Sequence, residues 1–161
     1  MNNQSHILVH CTRDTAWIRV EGKGSFLNSS GLKEFAGVMM NRGLRKFVVD
    51  LQHFPVMDST FMGTLAGIAL RLREICADGA VHMVHLNDRN RELLRGLGLD
   101  RLFNFDFDGI PPEEAETRIE ADGNRASNAR TMLEAHEALV EAAPENLAKF
   151  KDVLEYLKQD L

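Results

Sequence analysis

Apolar residues recur along this chain with two periods, and their alternation predicts the elements. His6-Ile7-Leu8-Val9-His10-Cys11 and Thr15-Ala16-Trp17-Ile18-Arg19-Val20 are short runs rich in β-branched or aromatic residues, split by Arg13-Asp14, and read as two strands. In the second run Trp17 and Arg19 share one face and Ile18 and Val20 the other, so this strand covers one side only. After a turn at Gly22-Lys23-Gly24, Leu32, Phe35, Ala36, Met39 and Met40 fall at helical spacing, with Ser30 as N-cap and Gly43 as stop. Lys46-Phe47-Val48-Val49-Asp50-Leu51 is a continuous apolar run ending in an acid, as expected of a buried parallel strand. The next helix carries Phe61, Met62, Leu65, Ala66, Ile68, Ala69, Leu72 and Ile75, with Arg71, Arg73 and Glu74 on its wetter side. Val81-His82-Met83-Val84-His85-Leu86 is another strand, Asp88 caps a basic helix closed by Gly96 and Gly98, and Leu102-Phe103-Asn104-Phe105 reads as a last short edge strand.

Two strands followed by strand and helix in alternation (β-β-α-β-α-β-α-β) predict an α/β fold. Its form is a mixed sheet with parallel pairs, right-handed crossovers and helices mainly on one face. Asp106-Phe107-Asp108-Gly109-Ile110-Pro111-Pro112 interrupts any regular element, so a boundary is placed there, with a domain over 1–109 and an extension over 110–161. Charge changes at the same point. Residues 1–109 hold 13 Lys/Arg and 12 Asp/Glu, a net of +1, and residues 110–161 hold 6 and 12, a net of −6. Within the extension, 110–127 reads as a weak helix or linker, followed by helices over about 128–143 and 144–160. Thr131-Met132-Leu133-Glu134 is a capping-box pattern, and Met132, Leu133, Leu139 and Val140 form a stripe. Pro144 suits a first helical position, with Leu147, Phe150, Val153, Leu154, Leu157 and Leu161 spaced along the helix after it. Two covers are open to those stripes: the domain's own surface or pairing of the two helices, and another chain, as a homodimer or a partner groove.

Composition narrows the classes. The 161 residues are 44% hydrophobic and 27% charged, enough for a core. No apolar run approaches the ~20 residues that span a bilayer, and the polar start is no secretion signal. Two cysteines, Cys11 and Cys76, make no disulfide framework, so a reduced cytoplasmic setting is expected. A net charge of −5 argues against broad nucleic-acid binding.

Candidate chemistry is sparse. There is no Gly-rich nucleotide loop, and no cofactor, metal site or catalytic group is expected. His82 and His85 point to opposite faces of a strand and cannot chelate together, and His6 and His10 lack a nearby Cys or Asp. One stretch stands out: Phe54-Pro55-Val56-Met57-Asp58-Ser59-Thr60-Phe61-Met62-Gly63 follows a buried strand and opens an amphipathic helix. Asp58 is a good N-cap with Ser59 and Thr60 in the first turn, which by itself describes simple capping. A hydroxyl there is also well placed to carry phosphate, because free N–H groups and the positive dipole end accept a dianion.

Val48-Val49-Asp50-Leu51, a short loop, and then Val56-Met57-Asp58-Ser59-Thr60 resemble the signature of STAS domains, specifically the bacterial anti-sigma factor antagonists, over about residues 6 to 108. The resemblance implies a STAS-like mixed sheet flanked by helices, and a phosphoswitch adaptor without catalysis of its own. In that family the Ser after the Asp is phosphorylated by a GHKL-type Ser/Thr kinase that is itself the anti-sigma factor. The unphosphorylated antagonist binds the kinase, phosphorylation breaks the partnership, and a PPM-type phosphatase restores it. By position, Ser59 is the implied phosphoacceptor, Thr60 the alternative, and Asp58 the adjacent acid. Gly24-Ser25-Phe26-Leu27-Asn28 is the implied loop at the same partner-facing end. Phe61 and Met62 depart from the usual Gly and aliphatic residue, and a bulky Phe there bears on how closely a kinase approaches. With the unusual tail, it motivates a second reading: a non-phosphorylated STAS scaffold, such as a subunit of a lipid-transport complex. A sulfate-transporter domain is disfavoured by the absence of any transmembrane segment.

Overall fold

The computed structural model describes residues 5–53, 55–109 and 117–160. In chain order the elements are β1 (His6–Cys11), β2 (Thr15–Glu21), β3 (Lys23–Gly24), α1 (Phe26–Asn41), β4 (Lys46–Asp50), β5 (Val56–Met57), α2 (Ser59–Ile75), β6 (Ala80–Val84), α3 (Asp88–Gly96), β7 (Thr117–Ile119), α4 (Arg125–Ala142) and α5 (Asn146–Asp160).

Five strands form a mixed sheet in the order β6-β4-β2-β1-β7. Strands β2, β4 and β6 run parallel, joined by helical crossovers, while β1 pairs antiparallel with both β2 and β7. Register sorts the side chains as alternation requires. Val9 lies opposite Ile18, Ile18 beside Val49 and Val49 beside Met83, a row buried on the helical face. One residue along, Trp17 lies beside Val48 and Val48 beside His82, on the other face. There Phe107 packs on Trp17 at 5.8 Å and on His82 at 5.1 Å between ring centroids. Burial, and then the charge of Lys46, lower the pKa of His82.

Several sequence expectations need correction. The α1 N-cap is Ser25, not Ser30: Ser25 Oγ accepts the Leu27 N–H (3.2 Å) and Asn28 Oδ1 accepts the Ser25 N–H (2.9 Å). The apolar stripe starts late because the first turn buries polar Asn28 and Ser29 instead. Only Gly22 of the expected turn has positive φ (80°), while Lys23–Gly24 form β3, paired in parallel with β5. Asn87, whose side chain accepts the Asn90 N–H at 2.8 Å, caps α3 in place of Asp88. Leu102–Phe105 contributes one bridge, Asn104 to His82, rather than a strand. The true outer strand on the far side is β7, within the stretch read as linker; residues 110–116 lie outside the described residues, as does Phe54. Three residues are too few to show alternation in a sequence. Asn124, not the Thr131 box, caps α4, and Thr131 is buried within that helix. A turn at Pro144 and Glu145 precedes α5.

α2 is sandwiched. Its Phe61, Leu65 and Leu72 are wholly buried, and its near-continuous burial from Thr60 to Ala66 arises because α4 lies across it. Each such large side chain contributes about 1.5–3 kcal/mol of burial. The helices of the extension therefore find their cover on the domain itself. Gly63 permits this approach, since a Cβ there would lie 2.3 Å from the Ala135 carbonyl oxygen. Asn146, fully buried, holds the α4–α5 turn by donating from Nδ2 to the Leu97 and Leu139 carbonyls, each at 2.8 Å. The Lys33–Glu134 ion pair ties α1 to α4 at the surface.

Gly63→Val forces α4 off its seat, and a loss of about 1–3 kcal/mol is expected in urea unfolding. An unchanged midpoint with an unchanged slope would mean that α4 does not rest there.

Candidate functional site

Two helix starts meet where β3 and β5 pair. The Asp58 N–H donates to the Gly24 carbonyl at 2.9 Å, extending the short ladder and placing Asp58 beside the first turn of α1. Its carboxylate then serves both helices: Oδ1 accepts the Phe61 N–H of α2 at 2.8 Å, and Oδ2 accepts the Phe26 N–H of α1 at 3.2 Å. One acid thus satisfies an otherwise unpaired amide at each of two positive helix ends.

Upstream, Asp50 of the Val-Asp-Leu run ends β4 and ties down the residues that follow it. It is buried, its Oδ1 accepts the Gln52 N–H at 3.0 Å and lies 2.8 Å from His85 Nδ1, and Arg19 Nε is 3.5 Å from Oδ2. His85 itself takes a φ of 61°, uncommon for a residue with a side chain.

Ser59 is the first residue of α2 and is half-buried. Its Oγ lies 3.0 Å from Nε2 of His136, which comes from α4. His136 Nδ1 is 2.7 Å from the Met132 carbonyl oxygen, which only accepts, so Nδ1 carries the proton. In the neutral ring Nε2 is therefore an acceptor, and the Ser59 hydroxyl donates to it. The imidazole is buried and packs T-shaped on Phe150 from α5, with ring centroids 4.9 Å apart.

The remaining expected site residues divide by exposure. Thr60 is only 6% exposed, which withdraws it as a phosphoacceptor at a surface. Phe61 and Met62 belong to the core, not to a partner surface. The Phe61 ring fills the space beneath Gly24, where a Cβ would lie 2.6 Å from it, so the departure from the family's usual Gly points inward. Gly24, Ser25 and Asn28 are buried, and the expected loop is a strand end plus the first turn of α1. What remains accessible at this corner is Asp58, Ser59 and Phe26 in part, with Leu27 and Val56 well exposed.

His136 was not among the residues expected here. It lies 77 positions from Ser59, and its only sequence signal is a His standing between Met132 and Leu139 on an otherwise apolar helical face. Asp122 joins α1 to α4 nearby, accepting from Asn124 N–H and from the hydroxyls of Ser127 (3.0 Å) and Ser30 (3.2 Å). The Asn124 amide, then the Ser127 hydroxyl, hold its carboxyl below the usual range. Among the described residues no group of three His, Cys, Asp or Glu is placed to hold a metal, and no helix is long and apolar enough to cross a membrane.

A family model for the STAS domain matches residues 6–112, more than half of the chain. No curated protein matches at a significant level. Among solved structures, the anti-sigma factor antagonist SpoIIAA in its unphosphorylated form aligns with a TM-score of 0.51 at 18% identity, covering 65% of this chain and 89% of that one. The Bacillus cell fate determinant SpoIIAA in the phosphorylated form aligns with a TM-score of 0.49 at 17% identity, covering 64% and 92%. The fold is shared at this distance.

Asp58→Ala removes the acceptor of two first-turn amides and is expected to cost about 1–2 kcal/mol in chemical denaturation, with Asp58→Asn costing less. Equal stability of all three chains would show that the double cap contributes nothing.

Proposed function

The chain belongs to the STAS domain family, and from that premise we propose that it is an anti-sigma factor antagonist whose switch is the phosphorylation of Ser59. The observation that carries this reading is a serine hydroxyl on the first residue of a long helix, next to the Asp58 cap, on a corner where Leu27 and Val56 stay exposed. Leu27 and Val56 supply apolar contact for a docking partner, and Ser59 lies where a dianion changes that contact most. The partner is a GHKL-type Ser/Thr kinase that is also the anti-sigma factor. It is bound while Ser59 carries a hydroxyl and released when Ser59 carries phosphate. A PPM-type phosphatase resets the cycle. The chain itself performs no catalysis.

The physical account is local. A phosphoserine brings about 1.5–2 negative charges to a position flanked by the Asp58 carboxylate. The helix dipole tolerates the group, so the domain stays folded while its surface gains negative charge. A kinase surface fitted to a partly apolar corner then meets a desolvation and repulsion cost. The placement is cytoplasmic, where such kinases and ATP are found. The match to SpoIIAA, named an anti-sigma factor antagonist, supports the assignment at the level of fold.

One observation favours a second reading, a static STAS scaffold: the Ser59 hydroxyl is already engaged by His136. The two readings separate on binding and labelling with a purified GHKL-type kinase from the same organism, ATP and magnesium. The switch predicts phosphate on Ser59 and none on Ser59→Ala. It also predicts kinase binding by Ser59→Ala like that of the unmodified chain, and about ten- to hundredfold weaker binding by Ser59→Asp. Equal binding by the Ala and Asp variants contradicts the switch and leaves the scaffold.

A further inference from the structure

We propose that the C-terminal pair α4–α5 is a built-in cover for the acceptor helix, latched by His136 on Ser59, and that docking of α4 and phosphorylation of Ser59 exclude each other. This rests on the reading of Ser59 as phosphoacceptor. It concerns a part of the chain beyond residue 112, outside the family match.

The latch is polarised in one direction. In the neutral ring, with the His136 Nδ1 proton committed to the Met132 carbonyl, Nε2 offers a lone pair and the Ser59 hydroxyl supplies the hydrogen. Transfer of the terminal phosphoryl of ATP forms the Oγ–P bond, breaks the bond to ADP and releases the hydroxyl proton to a base on the kinase. Ser59 then has no hydrogen to donate. The buried Nε2 faces an ester oxygen or an empty side, and an unpartnered polar atom in a buried site is costly.

Space points the same way. The imidazole is backed by Phe150, whose ring centroid lies 4.9 Å away. α4 cannot settle closer to α2 to compensate, since Ala135 already rests on Gly63 with no room for a Cβ. Three phosphoryl oxygens on Ser59 would occupy the space that the His136 ring now fills, and displacing that ring opens the α4 seat while the sheet and its other helices stay in place.

Reciprocity follows from linkage. If phosphate on Ser59 weakens α4 docking, docked α4 disfavours phosphoserine at equilibrium by the same factor. In the closed form α4 occupies the outer face of α2, and in the open form that face and the acceptor hydroxyl become available together.

The test needs no kinase. Full-length chain carrying phosphoserine at position 59, installed by reassigned-codon incorporation, is compared with unmodified chain by hydrogen–deuterium exchange. The amides of Arg125–Asp160 are expected to exchange at least about tenfold faster in the phosphorylated chain, with the protection of β1, β2, β4 and β6 unchanged. Unchanged protection in α4 and α5 overturns the proposal, whatever the protonation of His136. In the unphosphorylated chain, His136→Ala is expected to open α4, and His136→Gln, whose side-chain oxygen accepts from Ser59, to keep it closed. Opening in both variants, or in neither, overturns the latch. A kinase that leaves Ser59 bare would sink the switch itself, a separate result.

Discussion

No charged side chain occurs between Ser59 and Leu70, and a helix of that kind has to be buried on two sides. The sheet covers one side of α2 through Phe61, Leu65 and Leu72. The other side needs a second layer, and α4 provides it over Gly63. From this constraint follow the position of the extension, the burial of Thr60 and Met62, and the meeting of His136 with Ser59. The candidate site is where this doubly covered helix comes to the surface at its first turn.

Asp58 makes that surfacing possible. By accepting from both Phe26 and Phe61 amides, it holds the starts of α1 and α2 together. The β3–β5 pair brings the two segments into register through Gly24 and Met57. On the proposed reading, phosphate at Ser59 adds charge on a rigid support, and its effect is felt by a docked partner and by α4 rather than by the sheet.

Much of this was legible in the chain. The strands and crossover helices showed their periods, and Asp58 announced its cap by standing between a buried strand and an apolar run. The helix starts at Phe26 and Arg125 were hidden because their first turns bury polar Asn28, Ser29 and Asn128 where a hydrophobic stripe was sought. β7 was hidden because three residues paired to β1 leave no periodic trace. Phe61 misled: its bulk suggested interference with a partner, yet the ring turns inward under a glycine 37 positions earlier in the chain, a pairing set only by tertiary packing. The Ser59–His136 contact was illegible for the same reason.

The central claim is that one hydroxyl at the head of α2 is the reversible switch of this chain. Phosphosite mapping by mass spectrometry, on full-length chain recovered from the cells that make it, tests this most directly. The account predicts a single variable phosphate whose fragment ions place it on Ser59. Phosphate confined to other residues, with the Ser59 peptide unmodified under every growth condition, would contradict it.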